Sequence, residues 1–256
     1  MCLTEMEIKR YYKLWCTLVW GINEKQNIIP KFKKPVYGTK TMSIKPFMEL
    51  KDKIFDNPQW IDEFIKDGAY GELNKRELEM AQEWRKHFVK GKFVVIDHIE
   101  DKYSVFMPLK DATALYGVYG ISDPLNILMM PLPKPTVIEA VLLPFNDKII
   151  LNSLFEASTE PMEQRFINAV AEVHNHIMRT KGIIENLNKS PVISEEMYEC
   201  VPIGTGKRNK LSNQFAEIDM EKMPPGVKLE NISEEYTRGC DHILGVDTVV
   251  YNASRK

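Results

Sequence analysis

An α+β fold is predicted by three observations. Helix-period apolar stripes fill the chain up to about residue 90, strand-like runs occupy 92 to 155, and one long amphipathic pattern returns after Pro161. Helices and strands are segregated instead of alternating, which argues against repeated βαβ units. The expected architecture is N-terminal helices, a central antiparallel sheet of two hairpins, a long covering helix and an irregular C-terminal tail. Residues 1–188 read as an α+β core domain, and 189–256 as an irregular extension able to pack on it.

The first helix opens at Thr4 and Glu7, which have capping-box spacing. Ile8, Tyr11, Trp15, Leu18, Val19 and Ile22 then recur at three and four, and Gly21, near the end, slightly weakens the helical pattern. Residues 28–46 (IIPKFKKPVYGTKTMSIKP) carry three prolines and five lysines and read as an extended surface connection. Pro46 suits the first turn of a helix to Phe55. Asn57 and Pro58 read as cap and first residue of the next helix, which Gly68 closes. Asn74 with Glu77 opens another, with Leu78, Ala81, Trp84 and Phe88 on one face.

The period then changes to two. KFVVIDHIE (92–100) and KYSVFMPL (102–109) flank a polar corner at Glu100-Asp101 and read as a hairpin. ALYGVYGI (114–121) reads as a third strand. TVIEAVLLPF (136–145) and KIILNSLF (148–155) flank Asn146-Asp147 and form the second hairpin, with Pro144 at a strand end. The long helix that follows has Phe166, Ile167, Val170, Val173 and Ile177 on its face and ends at Gly182. Beyond 189 periodicity fades, and VDTVVYN (246–252) is the last strand candidate.

Composition excludes several classes. The 256 residues carry a net charge of −2, so a globally basic nucleic-acid binder is not indicated, although a local basic patch remains open. Cys2, Cys16, Cys200 and Cys240 form no CxxC pair, which points to reduced thiols in a cytoplasmic protein. The N-terminus does not read as a signal peptide, and no run approaches the roughly 18–20 apolar residues of a membrane span.

No catalytic or metal-binding constellation stands out, and no cofactor is called for. His174 and His176 lie two apart on a predicted helix, on opposing sides. Asp97 and His98 are neighbours on a strand and face opposite ways; Cys240, Asp241 and His242 are likewise adjacent letters without a shared geometry. Two features point to binding. The loop GTGKRNK offers Gly204, Thr205, Gly206, Lys207, Arg208 and Lys210, whose backbone amides and cations suit an anion. It is not a Walker A loop, which would need glycine at Val201 and a hydroxyl at Arg208. In 28–46, Lys31, Lys33, Lys34, Lys40 and Lys45 alternate with Phe32, Tyr37 and Phe47, a composition that could hold single-stranded nucleic acid. The same segment also reads as a connection with its aromatics tucked inward.

Trp84 before the first hairpin, Tyr116-Gly117-Val118, and Leu142-Leu143-Pro144-Phe145 with its following hairpin together resemble a group of uncharacterised bacterial proteins. These often end in an SEC-C zinc motif, also found at the tail of the preprotein translocase ATPase. The resemblance covers 61 to about 187. It implies a bacterial cytosolic origin and carries no activity. The zinc motif runs roughly Cys-Pro-Cys-Gly-Ser-Gly-Lys-Lys-Tyr-Lys-Lys-Cys-Cys. Residues 204–210 fall on its middle, but Val201, Ile203, Leu211 and Ser212 stand where cysteines belong, and Cys200 is one place off. Four zinc ligands are not supplied, which leaves a decayed knuckle with its basic loop or a chance likeness.

The function expected from sequence is a non-enzymatic binding or interaction protein that contacts a phosphate-rich or acidic partner, either nucleic acid or an acidic protein surface. The alternative is a hydrolase or nuclease whose site gathers dispersed Asp and His residues such as Asp97, His98, His174, His176 and His242.

Overall fold

The computed structural model describes residues 2–36, 44–99, 102–110, 112–152, 154–158, 162–188 and 249–251. Its first helix, α1 (Glu5–Gln26), starts as the sequence predicts. Thr4 Oγ1 accepts the Glu7 amide, and the Glu7 carboxylate accepts the Thr4 amide. The helix runs through Gly21. The stop comes at Asn27, in the left-handed region with φ 48°, a conformation asparagine tolerates. Asn23 then holds the outgoing chain, donating to Ile29 O and accepting from Ile29 N.

Three helices follow: α2 (Ile44–Asp56), α3 (Gln59–Lys66) and, after a single 3-10 turn at Gly68–Gly71, α4 (Lys75–His87). Pro58, not Asn57, takes the cap position of α3, while Asn57 Nδ2 donates to Lys53 O and finishes α2. The Asn74–Glu77 box opens α4 as expected, and Lys13 Nζ reaches the same Glu77 carboxylate at 2.8 Å. Trp84 seats α4 on the sheet: it is fully buried and its Nε1 donates to Pro144 O at 2.9 Å. Tyr11 and Trp15 pack beside it, and Phe55 stacks on Trp15 at 6.1 Å.

The strands are β1 (Val89–His98), β2 (Ser104–Pro108), β3 (Leu115–Tyr119), β4 (Thr136–Phe145), β5 (Lys148–Leu151) and β6 (Leu154–Ala157). A short helix, α5 (Leu125–Leu128), lies between β3 and β4. The long helix α6 (Gln164–Thr180) follows β6, then β7 (Ile183–Ile184) and β8 (Val249–Tyr251). Both expected hairpins are present, β1–β2 and β4–β5, the second turning at Asn146 with φ 55°. The sheet that contains them is mixed, since β3 runs parallel to β5 and to β7, and β6 runs parallel to β8. The expected single strand 148–155 is broken: its pairing to β4 slips between Leu151 and Leu154, where Asn152 N donates to Val141 O.

The sheet closes on itself. β1 pairs β2 along one edge and β4 along the other, so the order β1-β2-β3-β5-β4 returns to β1. Residues 93–95 of β1 pair with both neighbours, and the register with β2 slips between Val95 and Asp97, just past the stretch paired with β4. Phe93, Val95, Phe106, Val118, Ile138, Leu142, Ile149 and Leu151 fill the interior, and Leu125 and Met129 belong to the same cluster. The result is a closed five-stranded barrel with Greek-key strand order. Its outer face is apolar too. Val94, Val105, Met107, Leu115, Val141, Leu143 and Ile150 join the helices in one core. Apolar side chains on both faces explain why β4 reads as a nearly continuous hydrophobic run.

Among the described residues, no helix is long and apolar enough to cross a membrane. The three residues of β8 fall within the predicted last strand; the rest of the 189–256 extension lies outside the described residues.

Candidate functional site

The outer face of β2 and β3 carries the clearest convergence of polar and aromatic groups. Gly117 pairs with Val105 across the β2–β3 ladder, and the Tyr103 ring lies against it. A Cβ built on Gly117 would meet three ring carbons of Tyr103, each at 3.0 Å. Glycine is therefore what lets the ring lie close on the strand. Tyr119, two residues further and on the same face, packs edge-on to Tyr103 with ring centres 5.8 Å apart.

Two lysines accompany the pair. Lys102 Nζ sits 4.9 Å from the Tyr103 ring centre, and Lys148 Nζ, on β5, sits 5.7 Å from that of Tyr119. A carboxylate completes the group. One oxygen of Glu185 accepts Lys102 Nζ at 3.0 Å and the Tyr103 hydroxyl at 2.8 Å. Burial works to raise the Glu185 carboxyl, but the hydrogen bonds from Lys102 and Tyr103 outweigh it and hold the group below its ordinary value. The hydrogen bond to Glu185 in turn raises Lys102; burial, then that same bond, raises the Tyr103 phenol. An anionic oxygen bound jointly by an ammonium and a phenol, beside a tyrosine ring, is the arrangement a phosphate-bearing aromatic ligand would require.

The residues singled out from sequence fare differently. Gly204, Thr205, Gly206, Lys207, Arg208 and Lys210 lie outside the described residues, as do Tyr37, Lys40, Cys200, Cys240 and His242. In the 28–46 strip the described aromatics turn inward: Phe32 and Phe47 are buried and pack edge to face at 5.5 Å. They are not available to stack on bases. Lys34 lies 4.8 Å from the Trp20 ring centre and pairs with Glu72, while Lys31, Lys33 and Lys45 are exposed.

Among the described residues, the candidate acids and imidazoles are not gathered into one site. Asp97 is exposed, and its carboxylate accepts the His98 backbone amide at 2.7 Å. His98 Nδ1 lies 2.6 Å from Ser104 Oγ, and burial, then the nearby charge of Lys134, pushes the imidazole below its ordinary value. On α6, His174 is half-buried and His176 exposed. Among the described residues, no three His, Cys, Asp or Glu side chains form a group that could hold a metal ion. Burial pushes the Cys16 thiol up to about 12, which keeps it protonated and unreactive at neutral pH.

A second charged group lies outside the barrel beneath α2. Lys92, Glu139 and Glu156 face one another in register across β1, β4 and β6. Close by, the buried Lys51 ammonium donates to Leu154 O at 3.0 Å and lies 3.5 Å from Asp52 Oδ1. It ties α2 to β6 and offers no open chemistry.

No protein-family model, curated protein or solved structure matches the sequence.

Proposed function

We propose that the protein is a non-enzymatic binding module whose outer β2–β3 face takes single-stranded nucleic acid. The observation behind this reading is the Glu185 carboxylate oxygen held between Lys102 and Tyr103 beside the Tyr103–Gly117 contact. A nucleotide has both parts of that arrangement, an anionic oxygen and a flat ring. Barrels of this topology commonly bind oligonucleotides across strands 2 and 3, an analogy of fold that adds weight without replacing the site argument. Lys207, Arg208 and Lys210 would supply further phosphate contacts from the 204–210 loop. Among the described residues, the rival reading, a hydrolase or nuclease, has only the His98–Ser104 contact behind it.

The test is fluorescence anisotropy of a labelled oligo-dT and a labelled oligo-U across a salt series. The reading expects affinity to fall with salt, and to weaken with Lys148→Ala. Lys207→Ala/Arg208→Ala should lower the salt slope by about 1–2. Absence of binding to either oligomer, or binding indifferent to salt, removes it. Binding to polyglutamate alone would move the function to an acidic protein surface.

A further inference from the structure

We propose that residues 181–188 are an autoinhibitory strap, and that Glu185 occupies in cis the position a ligand phosphate would take. This rests on the binding reading above and adds its regulation.

The strap lies along the barrel wall just after α6. Lys181 Nζ donates to Thr113 O at 2.9 Å. Ile183 and Ile184 pair in parallel with Leu115 and Tyr116, beside the half of β3 that β5 does not cover. Glu185 then reaches Lys102 and Tyr103, and Asn186 Nδ2 donates to Asp147 Oδ1 at 3.3 Å. The segment therefore runs along the edge of β3 away from β2, toward the β4–β5 turn, and from there Glu185 meets Tyr103, which is buried together with Tyr119.

Its attachment is of a different kind from that of the helix before it. Val170, Val173 and Ile177 bury α6 in the main core, whereas every residue from Ile183 to Leu187 is only half-buried. The ladder is two residues long, Ile183, Ile184 and Leu187 pack on the two apolar clusters only half-buried, and the remaining contacts are polar. Short, solvated contacts of this type open at low free energy. A pivot is also present: Gly182 has φ 68°, where glycine is at ease, and a Cβ built on it would meet nothing within 4 Å. Rotation there would lift the strap while α6 stays seated. A phosphodiester competing for Lys102 and Tyr103 carries the charge that Glu185 supplies, so ligand and strap exclude one another.

Glu185→Gln keeps the shape and removes the charge. In the full chain this variant is expected to bind labelled oligo-dT about tenfold more tightly than the wild type, and Lys102→Ala added to it should reverse the gain. Hydrogen exchange at the 183–187 amides should quicken in the variant, and in the wild type on addition of oligo-dT. Glu185→Ala, with the melting temperature recorded alongside, guards against a folding effect peculiar to glutamine. Equal affinity of wild type and both variants overturns the strap and leaves the binding reading intact. No binding by wild type or either variant overturns both.

Discussion

Gly117→Ala adds one methyl group to the outer face of β3, and its consequences can be worked through from the packing. The new Cβ would lie 3.0 Å from Cδ1, Cδ2 and Cε1 of Tyr103. Carbon atoms rest at about 3.5–4.0 Å, so the ring must lift by roughly 0.5–1 Å. Overpacking of this size costs about 1–3 kcal/mol. Replacing glycine in a strand returns roughly 0.5–1 kcal/mol of backbone entropy, and Gly117 is not among the positive-φ glycines, so alanine meets no backbone strain there. The net loss should be on the order of 1 kcal/mol. Lifting the ring also draws its hydroxyl away from Glu185, now 2.8 Å distant. Urea unfolding followed by circular dichroism measures the loss, and a double-mutant cycle assigns it. In a Tyr103→Ala background the same Gly117→Ala change should be neutral or mildly stabilising. If it costs as much without the ring as with it, the Tyr103–Gly117 contact is not what demands glycine, and the account of the face fails.

Two further predictions concern the charged group beneath α2. Burial pushes Lys51 below the ordinary lysine value of 10.5 against the opposing pull of Asp52, so its charge is a net cost to the fold. Lys51→Met should therefore be within about 1 kcal/mol of wild type or more stable, while Lys51→Ala should lose about 2 kcal/mol or more through the space it leaves. The wild type should close on the methionine variant as pH rises from the depressed pKa to 10.5, and equal losses for both variants in urea melts would count against the argument. Glu156 is raised above 4.5, first by burial and then by Glu139 opposite it. A raised carboxyl gives stability that is complete below 4.5 and lost as pH climbs through the folded pKa. Glu156→Gln should accordingly be more stable than wild type at pH 7 by a few tenths to about 1 kcal/mol, the usual range for facing like charges. That advantage should vanish below pH 4.5, and a variant less stable at pH 7 in thermal melts contradicts the sign.

What the sequence discloses depends on how local each feature is. The capping boxes at Thr4–Glu7 and Asn74–Glu77 are each closed within four residues, and both appear where their letters place them. The β4–β5 turn is as local, resting on Asn146 in the left-handed region. Closure of the barrel is not local. It depends on residues 89–95 of β1 meeting β4, some 40 to 50 residues away in the chain, which no turn residue marks. The break in the second hairpin's return strand comes after Asn152, an ordinary polar residue in a β-rich run whose amide still pairs with Val141. The site is the least legible part. Tyr116-Gly117-Val118 reads as an ordinary piece of strand, and its physical role depends on Tyr103, fourteen residues before Gly117. Lys102 and Glu185 are separated by 83 positions, so their meeting leaves no pattern at helix or strand period. Phe32 and Phe47 show the reverse error: a basic, aromatic composition suggests a stacking strip, yet burial of apolar surface decides where the rings go.

The barrel's outer wall is divided between two kinds of cover, and their difference determines where a partner can enter. On the β4 side the cover is aromatic. Tyr11, Trp15, Phe55 and Trp84 are buried in mutual contact, and Trp84 also bonds to Pro144 O. Each such side chain contributes roughly 1.5–3 kcal/mol through burial alone, so exposing that wall means dismantling the core. Along β3, past the end of α6, the cover is a two-residue ladder, the half-buried Ile183, Ile184 and Leu187, and an ion pair whose members are 50% and 43% exposed. Pairs that solvated contribute about 0–1 kcal/mol. The order of opening follows: amides of 183–187 should exchange well before those of α1, α4 or the barrel, and a ligand that needs barrel surface will find it first around Tyr103 and Tyr119.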